Sequence, residues 1–196
     1  MNILIVLAHP NQKSFNHAIA QRVSAILKRH RYNVFFHDLY AEKFNPLLSS
    51  DDLARECIVD SRLHIYCDEL EEADGLVFVH PNWWGAPPAI LKGWLDRVLR
   101  PGVAYRFEPG DKGDGMPEGL LAGKTALVFN TSDTPEKREK KIFGDPLELL
   151  WNKCVFEFCG IQSHFRRTFS AVVTSTAEQR QKWLAEAEEI AVRLFA

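Results

Sequence analysis

The chain has 196 residues, with 24 Lys and Arg against 26 Asp and Glu, a formal net charge of -2 and 46% hydrophobic residues. This length fits one domain, here spanning 1–196, that buries roughly two thirds or more of the surface of its unfolded chain, so no disulfide staple is required. The near balance of charge gives no electrostatic footprint for nucleic acid or an anionic membrane, which leaves small molecules, or a second copy of the chain, as the expected partners.

The first apolar run, Ile3 to Ala8, is too short to span a membrane and lacks the basic start and cleavage site of a secretory signal, so a cytoplasmic location is expected. The continuous run Asn2 to Ala8 suits a strand covered on both faces. From Ser14 to His30, apolar residues at Phe15, Ala18, Ile19, Val23, Ile26 and Leu27 follow the spacing of a helix with one buried stripe. A second strand fits Asn33 to Leu39, and helices fit Asp51 to Asp60 and Arg62 to Glu72. A third strand fits Gly75 to Val79, a helix Pro88 to Leu99, a fourth strand Thr125 to Phe129, a helix Pro146 to Phe158, a fifth strand Phe165 to Val173 and a last helix Ala177 to Phe195. Strands alternating with helices argue for a parallel sheet built by right-handed crossovers. The one long irregular stretch, Gly102 to Gly123, is expected to be functional or interfacial.

Cys57, Cys67, Cys154 and Cys159 form no C-x-x-C pair and have no histidine at a zinc-like interval, so they read as buried free thiols. His37, His64 and His164 read as satisfied or solvated histidines, and no metal site is expected.

In a doubly wound sheet, ligands bind beyond the carboxyl ends of the strands, so the loops after the first, third and fourth strands should carry the chemistry. The first, Ala8 to Asn16, offers His9, Lys13, Ser14 and Asn16 at a helix start, and it lacks the glycine patterns of a dinucleotide Rossmann site or a P-loop. The loop after the third strand sets Trp83 and Trp84 between Pro81 and Pro87, a stiff aromatic platform for a flat ligand. The loop after the fourth, Asn130 to Pro135, adds small hydroxyl and amide groups. Together they propose an anion anchor, an aromatic floor and polar donors, which are the requirements of a flavin nucleotide.

At these positions the chain resembles the NAD(P)H:quinone oxidoreductases related to DT-diaphorase. The strongest piece is the run Pro87 to Val98, similar to the family's P-A-I-L-K-G-W segment, with Ser14-Phe15-Asn16 similar to its phosphate loop and Phe44-Asn45-Pro46 to its F-N-P motif. The resemblance implies a flavodoxin-like three-layer α/β sandwich, with a five-stranded parallel sheet in the order 2-1-3-4-5 and helices on both faces. It implies FAD or FMN held non-covalently, NADH or NADPH as donor, and two-electron reduction of quinone-like acceptors by a ping-pong mechanism.

By the same resemblance, His9, Ser14, Phe15, Asn16 and Ala18 hold the ribityl and phosphate portion, and Pro81, Asn82, Trp83, Trp84 and Gly85 line the ring. Asn130, Thr131, Ser132 and Asp133 occupy the third flavin loop. Tyr105 and Phe107, with Trp84, line the substrate pocket, the first two reaching it from the partner subunit of a homodimer. Lys137 and Phe143 stand where larger family members carry a proton-relaying Tyr and His, so no catalytic residue is assigned. An azo- or nitro-compound reductase on the same scaffold, a regulatory flavoprotein subunit of a membrane transporter and a flavodoxin-type electron carrier are the alternatives; only a partner protein would bring the chain to a membrane.

Overall fold

The computed structural model describes residues 1–53, 61–108, 110 and 115–196. Its first strand, β1 (Asn2–Leu7), has no solvent on either side: Ile3, Ile5 and Leu7 enter one apolar layer and Leu4 and Val6 the other. A period of two on a strand covered twice produces the unbroken apolar run seen in the sequence. Helix α1 (Phe15–Arg29) follows, then β2 (Asn33–Asp38), α2 (Ser61–Glu72), β3 (Gly75–Pro81) and α3 (Ala89–Val98). After the short strands β4 (Tyr105–Arg106) and β5 (Glu118–Gly119) come β6 (Thr125–Thr131), α4 (Glu136–Phe143), α5 (Pro146–Leu149), β7 (Ser163–Phe169) and α6 (Ala177–Phe195).

The main sheet runs β2-β1-β3-β6-β7, all parallel, which is the expected order once the two short strands are counted. Helices α1 and α6 cover one face, and α2, α3 and the segment 150–157 cover the other. The order reverses at β1, whose neighbours β2 and β3 lie on opposite sides, so the loops leaving β1 and β3 diverge there and open a crevice.

Several expectations need correction. The fifth strand is Ser163–Phe169 and not 165–173, because Ala171 takes a left-handed turn (φ 56°) that lifts the chain off the sheet. The helix expected over 51–60 begins as a 3₁₀ turn, Asp51–Leu53, and its remainder lies outside the described residues. The helix expected over 146–158 is α only to Leu149 and then a π-helix, Leu150–Glu157, a difference of winding that eight residues of apolar spacing do not reveal. Part of the long stretch 102–123 is ordered as the β4–β5 antiparallel ribbon. Its Gly119 lies so close to the 159–160 turn that a Cβ would stand 2.3 Å from the Cys159 carbonyl carbon.

Cys67 and Cys159 are buried free thiols, Cys154 is exposed and so departs from that expectation, and Cys57 lies outside the described residues. His64 is exposed and His37 is held by Glu42 and Glu69, whereas His164 stacks near Phe156 with a buried Nδ1 that has no partner. Among the described residues no group of side chains could hold a metal ion, and no helix is long and apolar enough to cross a membrane.

Candidate functional site

A crevice of about 620 Å³ opens at the carboxyl edge of β1, β3 and β6. Its first wall is the β1–α1 loop. Ser14 caps α1, its hydroxyl accepting the His17 N–H, and the helix has no acidic residue in its first turn to offset the positive end of its dipole. Phe15 and Asn16 are the first helical residues, so their N–H groups have no intrahelical acceptor. Ser14, Phe15 and Asn16 all line the crevice. Asn16 is only 2% exposed; its amide donates to the Thr131 hydroxyl at 2.9 Å, and its Oδ1 is buried without a partner. His9 also lines the cavity, its Nδ1 within 3.1 Å of the Asn11 nitrogen and its ring 6.0 Å from that of Trp83. Burial holds the His9 ring below the usual histidine range, against the opposing hydrogen bond to the Asn11 backbone.

The second wall is the β3–α3 loop. Trp83 and Ala86 exchange backbone hydrogen bonds, each 3.0 Å long, around the two central residues Trp84 (φ 57°) and Gly85 (φ 73°), both left-handed. This is the geometry of a tight primed hairpin turn, which glycine adopts freely and tryptophan only at a cost. The Asn82 side chain accepts from the Gly85 N–H at 3.0 Å and locks the turn from below. The result is a raised indole: Trp84 is fully exposed on the crevice rim and Trp83 partly so.

Behind this loop, the Trp151 indole N–H donates to Nε2 of buried His80 at 3.1 Å, while Nδ1 lies 2.8 Å from the Pro81 carbonyl. Burial, first, pushes the His80 pKa down to about 4, so the ring is neutral and its Nδ1–H donates to Pro81. The π-helix thereby supports the crevice floor.

The third wall is the β6–α4 loop. Ser132 donates its N–H to the Phe169 carbonyl at 2.9 Å and bonds Thr134 through its hydroxyl, and Asp133 accepts from the Val173 N–H at 3.2 Å. The Thr134 hydroxyl donates to Glu139, whose other carboxylate oxygen lies 3.5 Å from the Asn82 amide. One carboxylate on α4 thus joins the second wall to the third.

Twelve of the fourteen residues expected to hold the cofactor line this crevice. The exceptions are instructive. Ala18 is half-buried and packs toward the core layer under α1. Asn130 is fully buried and faces the opposite side of the sheet from Thr131, where its Oδ1 accepts from Arg166 and Thr168. Tyr105 and Phe107 do not line this chain's own crevice; they pack edge-on to one another, with Tyr105 against Phe158. Phe143 lines the cavity and Lys137 does not.

Thr134, Arg138, Glu139, Pro146 and Val172 also line it and were not anticipated. For α4 the missing signal was helical phase: Glu139 and Phe143 are four residues apart and share a face, which Lys137 does not.

The sequence profile of the flavodoxin-like fold family matches residues 1–193. A Haemophilus influenzae protein described as an NAD(P)H oxidoreductase is 41% identical over 170 residues, which cover 83% of this chain and 80% of that protein. The NAD(P)H dehydrogenase [quinone] 1 of Rattus norvegicus is 34% identical over 182 residues, which cover 81% of this chain and 65% of the rat enzyme, so the chain spans just under two thirds of that relative's length. Among solved structures, a Streptococcus mutans protein superposes with a TM-score of 0.84 at 33% identity, covering 97% of this chain and 98% of that one.

Proposed function

Because the chain belongs to the flavodoxin-like fold family, and its relatives include NAD(P)H oxidoreductases and a quinone dehydrogenase, we propose that it is an NAD(P)H-dependent flavin oxidoreductase that reduces quinone-like aromatic acceptors by two electrons. The observation that carries this reading is the convergence of three unrelated loops on one crevice, with free helix N–H groups at one end and a raised indole at the other.

The residues fit the group. A phosphate is matched by the Phe15 and Asn16 N–H groups and the Ser14 hydroxyl at a dipole end without carboxylates. The unpaired buried Asn16 Oδ1 suits a hydroxyl of a polyol chain. A flat ring is matched by Trp83, Trp84 and the rigid Pro81–Asn82 floor. When bound, a flavin supplies hydride acceptance and two-electron donation.

The chain's own residues then bind, orient and exclude water. The hairpin turn holds the Trp84 indole over one face of the site, where a nicotinamide and an aromatic acceptor would stack in turn, and stacking geometry supplies much of the rate advantage. Arg138 is the one Lys or Arg among the described lining residues, and its positive charge would favour an anionic reduced ligand in the crevice. Phe143, which lines the crevice, has no proton to give and Lys137 does not line it, so water can deliver protons to the product. Tyr105 and Phe107 close the acceptor pocket of a second copy in a homodimer.

The test is direct. The purified protein should be yellow, release FMN or FAD on denaturation, and bleach NADH or NADPH in proportion to added benzoquinone. A colourless protein that takes up no flavin on reconstitution overturns the reading, and faster turnover of an azo dye than of any quinone at fixed NAD(P)H changes the acceptor class.

A further inference from the structure

The first turn of α1 carries a second hydrogen-bond chain, running away from the crevice. His17 follows the crevice-lining Asn16 and is only 5% exposed. Its Nε2 lies 2.9 Å from Oδ2 of Asp38, the last residue of β2, and its Nδ1 lies 3.0 Å from the Ser14 Oγ. The same Oγ accepts the His17 backbone N–H at 3.2 Å. The other Asp38 oxygen accepts the Ala41 N–H at 3.2 Å, so the carboxylate is fixed by backbone. Asp38, His17 and Ser14 form a line from the edge of the sheet to the crevice wall.

Counting protons along that line gives two states. A serine oxygen has one proton and two lone pairs, and one lone pair is already taken by the His17 N–H. With Asp38 ionised, Nε2 carries a proton and donates it. If Nδ1 is bare, the single Ser14 proton turns inward to it, and the crevice faces an oxygen lone pair that repels an anion. If Nδ1 also carries a proton, both serine lone pairs are filled from within, and the hydroxyl proton is left to donate into the crevice.

We propose that His17, backed by Asp38, is a positioning residue that turns the Ser14 hydroxyl toward a phosphate group in the crevice, so that one proton is taken up from solvent when a phosphorylated ligand binds. The inference rests on the flavin reading. The charged and titratable groups facing His17 are Asp38 from β2 and His9 from the β1–α1 loop, whose ring centroid is 6.3 Å away. His9 is held below the usual histidine range by burial. Lys13, on the same loop, is exposed.

Binding of FAD and of riboflavin to the flavin-free full chain, measured between about pH 6.5 and 8.5, tests this; FMN is avoided because its own phosphate titrates near pH 6. The Kd for FAD rises with pH, approaching about tenfold per unit for one linked proton, while that for riboflavin, which has no phosphate, stays flat. Ring ¹⁵N shifts show His17 doubly protonated in the FAD complex at a pH where the free protein shows it singly protonated. His17→Asn, with a fixed amide donor in place of Nδ1, binds FAD with no pH slope, and His17→Phe binds it weakly throughout, with helix content checked by circular dichroism.

A flat FAD profile in the unmodified protein, or an equal slope in His17→Asn, overturns the proposal and leaves the flavin reading standing. Failure to bind either flavin at any pH overturns both.

Discussion

Trp84 is the residue at which local preference is most plainly overruled. A non-glycine residue in the left-handed region costs on the order of 1–2 kcal/mol, and Trp84 recovers none of it through burial, being fully exposed. Trp84→Gly should therefore raise the unfolding free energy by about 0.5–1 kcal/mol, since glycine's larger unfolded-state entropy offsets part of the relief. It should weaken nicotinamide or quinone binding at the same time; denaturant midpoints and KM values read the two effects, and a loss of stability would refute the strain argument.

Legibility in the sequence divides along the same line at this scale. Trp83 and Trp84 were readable as crevice residues because adjacent indoles between prolines are unusual in a loop, and Ser14 because a hydroxyl residue is a preferred cap where a helix begins. Asn130 was misread because strand neighbours face opposite sides, so it and Thr131 cannot both enter one cavity. Glu139 was invisible because its worth lies in touching Thr134 and Asn82, a contact made only when two loops fold together.

Among the elements, α2 and α3 depend on contacts that a single change would break. α2 is tied to β2 through His37, which lies between Glu42 and Glu69. Burial alone would lower the His37 pKa, but the two carboxylates outweigh it and the net shift is upward, while Glu42 shifts downward for the same reason. The sign follows by linkage. The His37 contribution is complete below the ordinary histidine value of 6.5 and is lost as pH rises through the raised folded value. The Glu42 contribution is complete above its ordinary 4.5 and is lost as pH falls through the lowered one. Urea midpoints should accordingly be highest between these two values and decline above 6.5. His37→Gln should flatten that alkaline decline; an unchanged pH profile would show that the pair does not hold α2.

α3 meets the F-N-P loop at Gly93, where an added Cβ would stand 2.2 Å from the Pro46 carbonyl oxygen. Arg97, one turn later, donates to the Asn45 carbonyl at 2.9 Å and lies over the Phe44 ring. Two motifs separate in the chain are thus one contact in space. Gly93→Ala should cost about 2–3 kcal/mol, because backbone must move to admit a methyl group; a thermal midpoint within a degree or so of the parent would contradict it. Strand and helix existence was readable here from apolar period, yet the π-helical winding of 150–157 was not, since its contacts, such as that of Trp151 to His80, are made only in the folded chain.

For the molecule as a whole, alternation of strand and helix was enough to make the sheet parallel, because right-handed crossovers are how such a chain assembles, whereas the strand order was legible only through the family resemblance. What alternation could not supply is the second half of the acceptor pocket. Tyr105 and Phe107 lie away from this chain's crevice, and on the proposed reading they would complete that of a second copy. Sedimentation should give a dimer, and Phe107→Ala should raise the acceptor KM about fivefold to tenfold while leaving flavin content unchanged. A monomer with full activity would remove the shared-pocket arrangement.

The raised hairpin has one more consequence. Trp94 and Trp151 are sealed in the interior, Trp183 is half-buried and Trp83 partly exposed, whereas the Trp84 indole is surrounded by solvent, so the red edge of the emission spectrum should come chiefly from the crevice rim, with Trp84 the larger share. Iodide should quench that component first, and a ring settling on the crevice rim should extinguish it, which makes this residue a built-in optical gauge of occupancy.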